Sequence, residues 1–376
     1  MIFFDNASTT KPYDEVGEIV NLYNMENYYN PSAIYSTAFT VQNDIKDAKS
    51  TILNLLKARK TDNFIFTSCA TESNNMVLRA FAKKNGKILV SGGEHPSVYN
   101  TALDLKNSGF NVEIVKLNPS GQVDEADLIT KLSSDVNLVS VMHVNNETGA
   151  VNDIKKLVSI VKAKNKNILF HCDGVQAFGK IPVNVTDLGV DFYTISGHKI
   201  HAPKGIAGLF VAGARYLKPL LTGGGQQDSF RSGTENVSGI MGLKVASELS
   251  VKNLDDNLKK ATEFRDYLLN NLDKTLPYRV VGNEQVSPYI TMLTCAGCRA
   301  ETLVHMFEDE GVIVGNGSAC SSKKKDNRNL SQLGYTPLEI EGAIRISFSE
   351  FNTIDEVKKL VEVLNNNVKK YLQKVR

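Results

Sequence analysis

The first two thirds of the chain alternate short apolar runs with segments of helical spacing. Asn63–Thr67, Lys87–Ser91, Val112–Leu117, Val136–His143, Asn167–Phe170, Val190–Ile195 and Ile206–Val211 read as strands. Between them, Thr40–Lys57 carries apolar residues at helical spacing with mixed charge, the mark of an amphipathic helix, and the segment after Ser73 is helical through Arg79 and Ala82. Strands alternating with helices in this way predict a mostly parallel central sheet covered by helices. A long helical pattern, Gly239–Asn271, rich in Lys, Asp and Leu, leads into a second alternating region. There, strands at Tyr278–Val281, Ile290–Leu293 and Gly311–Val314 and a strand-like run at Ala343–Ser347 accompany a helix through Leu303–Glu308. The expected fold class is α/β, with a large domain over residues 12–255 and a smaller α+β domain made of residues 1–11 and 256–376. A chain of 376 residues is long enough to bury a large core in two or three such units.

In α/β sheets ligands gather at the carboxyl ends of strands. Val190–Ile195 breaks at Ser196-Gly197 and delivers His198 and Lys199 to such an end. A lysine there is either a surface side chain on a loop or an amine that forms a Schiff base with a carbonyl. Alone, the surface reading wins. Asp173 and Gln176, directly after Asn167–Phe170, change the balance, because pyridoxal phosphate needs a lysine for its aldehyde and an acid for its pyridinium nitrogen. Asn63–Thr67 runs through Ser68, Cys69, Ala70 and Thr71 into a helix start, a turn that serves equally as an anion seat or an ordinary capped helix. His95 follows Lys87–Ser91, at a strand end where a lone histidine is more often structural, and Asn146 follows Val136–His143. Gly223-Gly224-Gly225 reads as a loop ahead of Arg231-Ser232-Gly233-Thr234.

Two cysteine features lie in the last third. Cys295-Ala296-Gly297-Cys298, with His305 downstream, is half of a zinc or thiol-redox pattern; a zinc site wants four ligands, so the structural reading is preferred and no metal is expected. Cys320 sits in Gly317-Ser318-Ala319-Cys320-Ser321-Ser322, a stretch of small residues followed by three lysines. Such flanks leave a sulfur accessible, and nearby cations favour the thiolate of a group whose free pKa is about 8.5. Arg345 is a lone arginine in a strand-like run, and its planar two-pronged donor suits a carboxylate. Five cysteines, an odd number, read as reduced thiols. Lys plus Arg number 43 against 41 Asp plus Glu, so no basic field argues for direct nucleic-acid binding. Met1-Ile2-Phe3-Phe4-Asp5 lacks the basic start and long apolar run of a signal peptide, and no apolar run approaches the about 20 residues of a membrane span. A cytoplasmic protein without membrane partners is the expectation.

Asp173-x-x-Gln176, followed 23 residues later by the lysine of Ser196-Gly197-His198-Lys199, resembles the fold-type I pyridoxal-phosphate transferases of the class V aminotransferase group, in particular the NifS/IscS-like cysteine desulfurases. The resemblance runs from Phe4-Asp5-Asn6-Ala7 to Arg345-Ile346-Ser347. It implies that pyridoxal 5'-phosphate is held by Lys199, with Asp173 at the pyridinium nitrogen, His95 stacked on the ring and helping proton transfer, and Asn146 at the phenolic oxygen. Ala70 and Thr71 hold the phosphate, Gln176, Ser196 and His198 complete the cofactor site, and Thr234 reaches the neighbouring subunit's phosphate in a homodimer. Arg345, with Asn146, binds the substrate carboxylate, and Cys320 is the persulfide-forming nucleophile. The implied reaction converts L-cysteine to L-alanine and leaves sulfur on Cys320 for a sulfur-acceptor protein, either an iron–sulfur scaffold or a tRNA-thiolating enzyme. Cys69 stands where the family has glycine, so crowding of the phosphate or altered backbone angles are expected there. Gln227-Asp228-Ser229-Phe230 also departs from the usual charged pair. A selenocysteine lyase or another class V aminotransferase would share Lys199 and Asp173, although Cys320 in its Gly-Ser-Ala-Cys setting argues against a plain aminotransferase. From a different class, a catalytically degenerate paralogue would only bind partners.

Overall fold

The structure, a computed structural model, describes the whole chain except Ala214, Asn283, Glu284, residues 318–326, Arg376 and the side chain of Val375. Cys320 therefore lies outside the described residues. The strands are β1 (Ile2–Phe4), β2 (Asn63–Thr67), β3 (Lys87–Ser91), β4 (Asn111–Val115), β5 (Val136–Ser140), β6 (Leu169–Asp173), β7 (Phe192–Ser196), β8 (Ala207–Val211), β9 (Tyr278–Val280), β10 (Ile290–Cys295), β11 (Val312–Asn316) and β12 (Ile344–Ser347). They form two sheets. The larger has seven strands in the order β2-β8-β7-β6-β5-β3-β4, and the smaller has five in the order β1-β11-β12-β10-β9.

In the larger sheet β4, β3, β5, β6 and β7 run parallel, whereas β8 is antiparallel to both β7 and β2. Every residue of β7 and of β8 is buried, as expected of strands covered on both faces. The side-chain period of two divides them between two cores. Phe64, Phe66, Leu89, Val139, Phe170 and Tyr193 enter one, and their neighbours Ile65, Ile88, Val90, Leu138 and Phe192 enter the other. The helix Ser36–Leu55 closes the first core with Ala38, Val41, Ile45, Ala48 and Ile52, a spacing of three and four that makes one apolar stripe.

β1 pairs in parallel with β11, which ties the amino terminus to the smaller sheet. β10 and β12 pair antiparallel, with Met292 opposite Arg345. The helical stretch expected over Gly239–Asn271 is two helices, Val237–Lys252 and Leu254–Asn270. Asn253 separates them: its amide still bonds Leu249, but it leaves the helical region at φ −97°, ψ 12°, in keeping with the poor fit of asparagine to a helix interior. The first helix buries Ile240, Met241, Leu243 and Ala246 in the larger core; the second turns Phe264 and Leu268 into the core of the smaller sheet.

Tyr13, His201 and Glu350 link the two parts. Tyr13 donates to Glu350 Oε1, and His201 Nε2 lies 3.0 Å from Glu350 Oε2 while its Nδ1 donates to Lys11 O at 2.6 Å. Burial opposes the charge on Glu350, but hydrogen bonding and charge from His201 and the bond from Tyr13 outweigh it and hold the carboxyl down at about 2.

Candidate active site

Three parallel strands deliver the expected groups to one place. Asp173 is the last residue of β6, Lys199 closes the short 3-10 turn after β7, and His95 caps the helix Pro96–Asn107 beyond β3. The chain can turn after Asp173 because residue 174 is glycine: a Cβ there would sit 2.0 Å from the Tyr193 ring. Lys199 Nζ donates to Ala7 O at 2.7 Å, so the amino-terminal segment crosses over the lysine. Gln176 Nε2 reaches the same carbonyl at 2.9 Å, and buried Lys180 donates to Gln176 Oε1 at 2.9 Å. Burial, then the charge on Lys199, depresses the Lys180 amine to about 7.

The acid and the histidine are joined by two residues that the sequence reading did not single out. Asn74 Nδ2 donates to Asp173 Oδ2 and to Ser97 Oγ, both at 2.9 Å, and Ser97 Oγ lies 2.8 Å from His95 Nδ1. Because the Ser97 backbone amide also donates to His95 Nδ1, at 3.1 Å, that nitrogen is the acceptor, and the neutral ring carries its proton on Nε2. Burial lowers the His95 pKa, with Lys199 and Arg328 adding to the effect and Asp173 opposing it, so the ring is neutral at physiological pH. Behind it, burial raises the Glu94 carboxyl to about 8, with the nearby Asp173 charge adding to the shift; Glu94 Oε1 accepts from Ser91 Oγ and Met142 N.

The helix Ala70–Phe81 begins beside β2. Cys69 is its N-cap residue and supplies no side-chain cap. Of the two expectations for Cys69, altered backbone angles are not found: φ is −165° and ψ 162°, extended geometry open to any residue. Thr71 is exposed and Ala70 half-buried at the helix start. Glu72 takes an ion pair from Arg231 at 2.8 Å and hydrogen bonds from Ser68, which together outweigh burial and keep its carboxyl below the ordinary range. That ion pair brings Arg231-Ser232-Gly233-Thr234 alongside the helix start, and exposed Thr234 lines a cleft with Thr67, Ser68 and Gly205 of its own chain. The unusual Gln227-Asp228-Ser229 stretch has three successive non-glycine residues at φ between 50° and 67°. Gln227 is buried and anchors it by accepting from Phe66 N at 3.0 Å.

Ser196 is buried at the end of β7, and His198 Nδ1 lies 3.2 Å from Thr9 Oγ1. Arg345 is only 6% exposed. Its NH2 pairs with Asp5 Oδ1 and its NH1 donates to Asn146 O, both at 2.8 Å, and its buried Nε has no partner among the described residues. Asn146 thus meets Arg345 through its main chain. Asn327 and Asn329 both donate to Glu147 Oε2, at 3.1 and 2.8 Å, while Arg328 stacks on Tyr99 at 3.6 Å and donates to Glu94 O. His305 faces solvent and pairs with Glu308 at 3.6 Å. Among the described residues no cluster of His, Cys, Asp and Glu could hold a metal ion, and no helix is long and apolar enough to cross a membrane.

The profile of the family described as Aminotransferase class-V matches residues 2–360, and the chain belongs to that family. Within it, the chain is 34% identical to "Cysteine desulfurase IscS" of Dictyoglomus turgidum, over 98% of this chain and 95% of that protein. It is 37% identical to "NifS/IcsS protein homolog" of Lactobacillus delbrueckii subsp. bulgaricus, over 96% and 95%. Among solved structures, a NifS-like protein from Rickettsia africae superposes with a TM-score of 0.89 at 31% identity, covering 98% of this chain and 99% of that one.

Proposed function

We propose that the protein is a pyridoxal-phosphate-dependent cysteine desulfurase that takes sulfur from L-cysteine, releases L-alanine and hands the sulfur to an acceptor protein through Cys320. The convergence of Lys199, Asp173 and His95 at the carboxyl ends of three parallel strands, in a chain similar to cysteine desulfurases along its full length, carries this reading.

The residues fit the cofactor chemically. An amine, a carboxylate held by an amide, and an uncapped helix start lie at the same edge of the larger sheet, after the carboxyl ends of β7, β6 and β2. Lys199 would hold the aldehyde carbon and Asp173 would face the pyridine nitrogen. Ala70, Thr71, Ser196, His198 and the partner subunit's Thr234 would receive the phosphate, while Gln176 and Asn146 would meet the ring oxygen. The bound group supplies an electron sink for chemistry at the substrate's α-carbon.

The chain's own residues do the rest. Arg345 has five N–H donors, of which Asp5 and Asn146 occupy one each on NH2 and NH1, and the second hydrogens of those two nitrogens would bind a substrate carboxylate. Lys199 takes and returns a proton at Nζ. His95, with Nδ1 filled, acts as a donor from Nε2. The Cys320 thiolate attacks the substrate sulfur: a sulfur–sulfur bond forms, the bond from sulfur to the substrate's β-carbon breaks, and the carbon skeleton leaves as alanine after protonation.

The protein works as a homodimer in this reading. Ile34, Tyr35 and Phe39 expose 90%, 50% and 51% of their surfaces together, an apolar face that association would cover. Residues 12–255 and the remainder act as the large and small domains. Supplied with pyridoxal phosphate, L-cysteine and a reductant, the protein should yield alanine and sulfide in equal amounts. Amino transfer to a keto acid without sulfide release, or turnover of selenocysteine alone, would overturn the assignment.

A further inference from the structure

The turn Cys295-Ala296-Gly297-Cys298 ends β10 and takes no part in the chemistry at Lys199. Cys298 N donates to Cys295 O at 3.1 Å, and Gly297 takes the left-handed φ of +86° that such a turn requires at its third position. A four-residue turn of this kind holds its end Cα atoms within about 7 Å, close to the span a disulfide bridges. The side chains converge as well. The Cys295 thiol donates to Cys298 Sγ at 3.5 Å.

Two further features surround the pair. Tyr278 lies directly opposite Cys295 in the β9–β10 ladder, and its buried hydroxyl has no hydrogen-bond partner among the described residues. Burial and, after it, the two cysteines hold the phenol above its ordinary range. The sulfurs themselves are buried, but Gly297 and Arg299 on either side of Cys298 are exposed. A surface cavity of about 510 Å³, lined by Leu276, Pro277, Ala296, Lys369 and Leu372 among others, opens on the turn.

We propose that Cys295 and Cys298 are a redox-active dithiol that exchanges with low-molecular-weight disulfides and closes to an intramolecular disulfide. Cys298 is the attacking sulfur, because the hydrogen bond from Cys295 lowers its pKa while raising that of Cys295. Its thiolate attacks the small disulfide, forming a mixed disulfide and releasing one thiolate. Cys295 then loses its proton to that thiolate or to solvent and attacks the Cys298 sulfur, displacing the second small thiolate. Two electrons pass from the protein pair to the oxidant, which leaves as two thiols.

The test uses the full-length holoenzyme with Cys320→Ala in glutathione buffers stepped from reducing to oxidising. Samples are quenched with acid, unfolded in denaturant with N-ethylmaleimide, digested and weighed. Label on the peptide containing residues 295–298 should fall at least about tenfold at the oxidising end, with the peptide lighter by two hydrogens and the change reversed by reductant. Wild-type protein should show the same loss, and Cys298→Ser should leave Cys295 labelled throughout. Full labelling of both cysteines at every ratio in folded protein, a stable glutathione adduct on Cys298, or a bridge from either cysteine to Cys69 or Cys172 would overturn the proposal.

Discussion

Asn74 Nδ2 lies 2.9 Å from Asp173 Oδ2 and 2.9 Å from Ser97 Oγ, so one amide on a helix connects the acid at the end of β6 to the histidine beyond β3. Asn74→Ala would leave the Asp173 carboxylate without its side-chain donor and free the Ser97 hydroxyl that bonds His95. A hydrogen bond to a charged group contributes about 1.5–3 kcal/mol, so pyridoxal phosphate should bind on the order of tenfold more weakly or worse. Titrating apoenzyme with the cofactor while following thermal stability checks this. A lower Tm with unchanged cofactor affinity would mean that Asn74 serves only the fold.

Arg345 is held on one side by Asp5 and on another by the Asn146 carbonyl. Arg345→Lys keeps the charge but loses the planar fork, and the KM for L-cysteine should rise about 100-fold with a smaller change in kcat. Asp5→Asn keeps an oxygen acceptor and removes the charge, so its KM effect should be nearer to about tenfold. Steady-state kinetics on both variants separates orientation from charge. A kcat effect larger than the KM effect would remove Arg345 from carboxylate binding.

Lys199 is the one residue whose loss should abolish covalent retention of the cofactor. After borohydride reduction, wild-type protein should carry pyridoxal phosphate on the peptide containing Lys199, and Lys199→Ala should carry none. Finding the adduct on Lys180 or Lys204 would move the anchor.

Glu350 gives a pH signature. Its folded pKa, about 2, lies below the ordinary glutamate value of about 4.3, so its stabilising contribution is complete above that value and is lost as pH falls through about 2. Glu350→Gln should lower stability at neutral pH by about 2 kcal/mol and flatten the fall in Tm between about pH 4.5 and 2. Differential scanning calorimetry across that range reads both effects.

The strand-end chemistry was legible because it is local. An apolar run, a glycine break and a lysine stand within ten residues, and Asp173 and His95 close their own runs in the same way. Asn74 and Ser97 were not, since on a helix each resembles an ordinary polar position; what marks Asn74 is a partner 99 residues away. The same holds for Asp5 with Arg345 and for Lys180, which turns a buried amine toward Gln176 four residues back. Composition also misjudged two backbones. Residue 69 tolerates a side chain because the chain there is extended, and the Gly239–Asn271 pattern hid a break that a single asparagine makes. The left-handed run Gln227-Asp228-Ser229 needed coordinates, because nothing in those residue types announces a positive φ.

The defining step of the proposed reaction is sulfur transfer to Cys320. Enzyme loaded with pyridoxal phosphate and given one equivalent of sulfur-labelled L-cysteine without reductant should release alanine and gain one sulfur atom in mass on the peptide bearing Cys320. Cys320→Ala should still bind cofactor and cysteine but lose alanine release by orders of magnitude. Label on Cys295 or Cys298 in place of Cys320, or near-normal alanine release from Cys320→Ala, would contradict it.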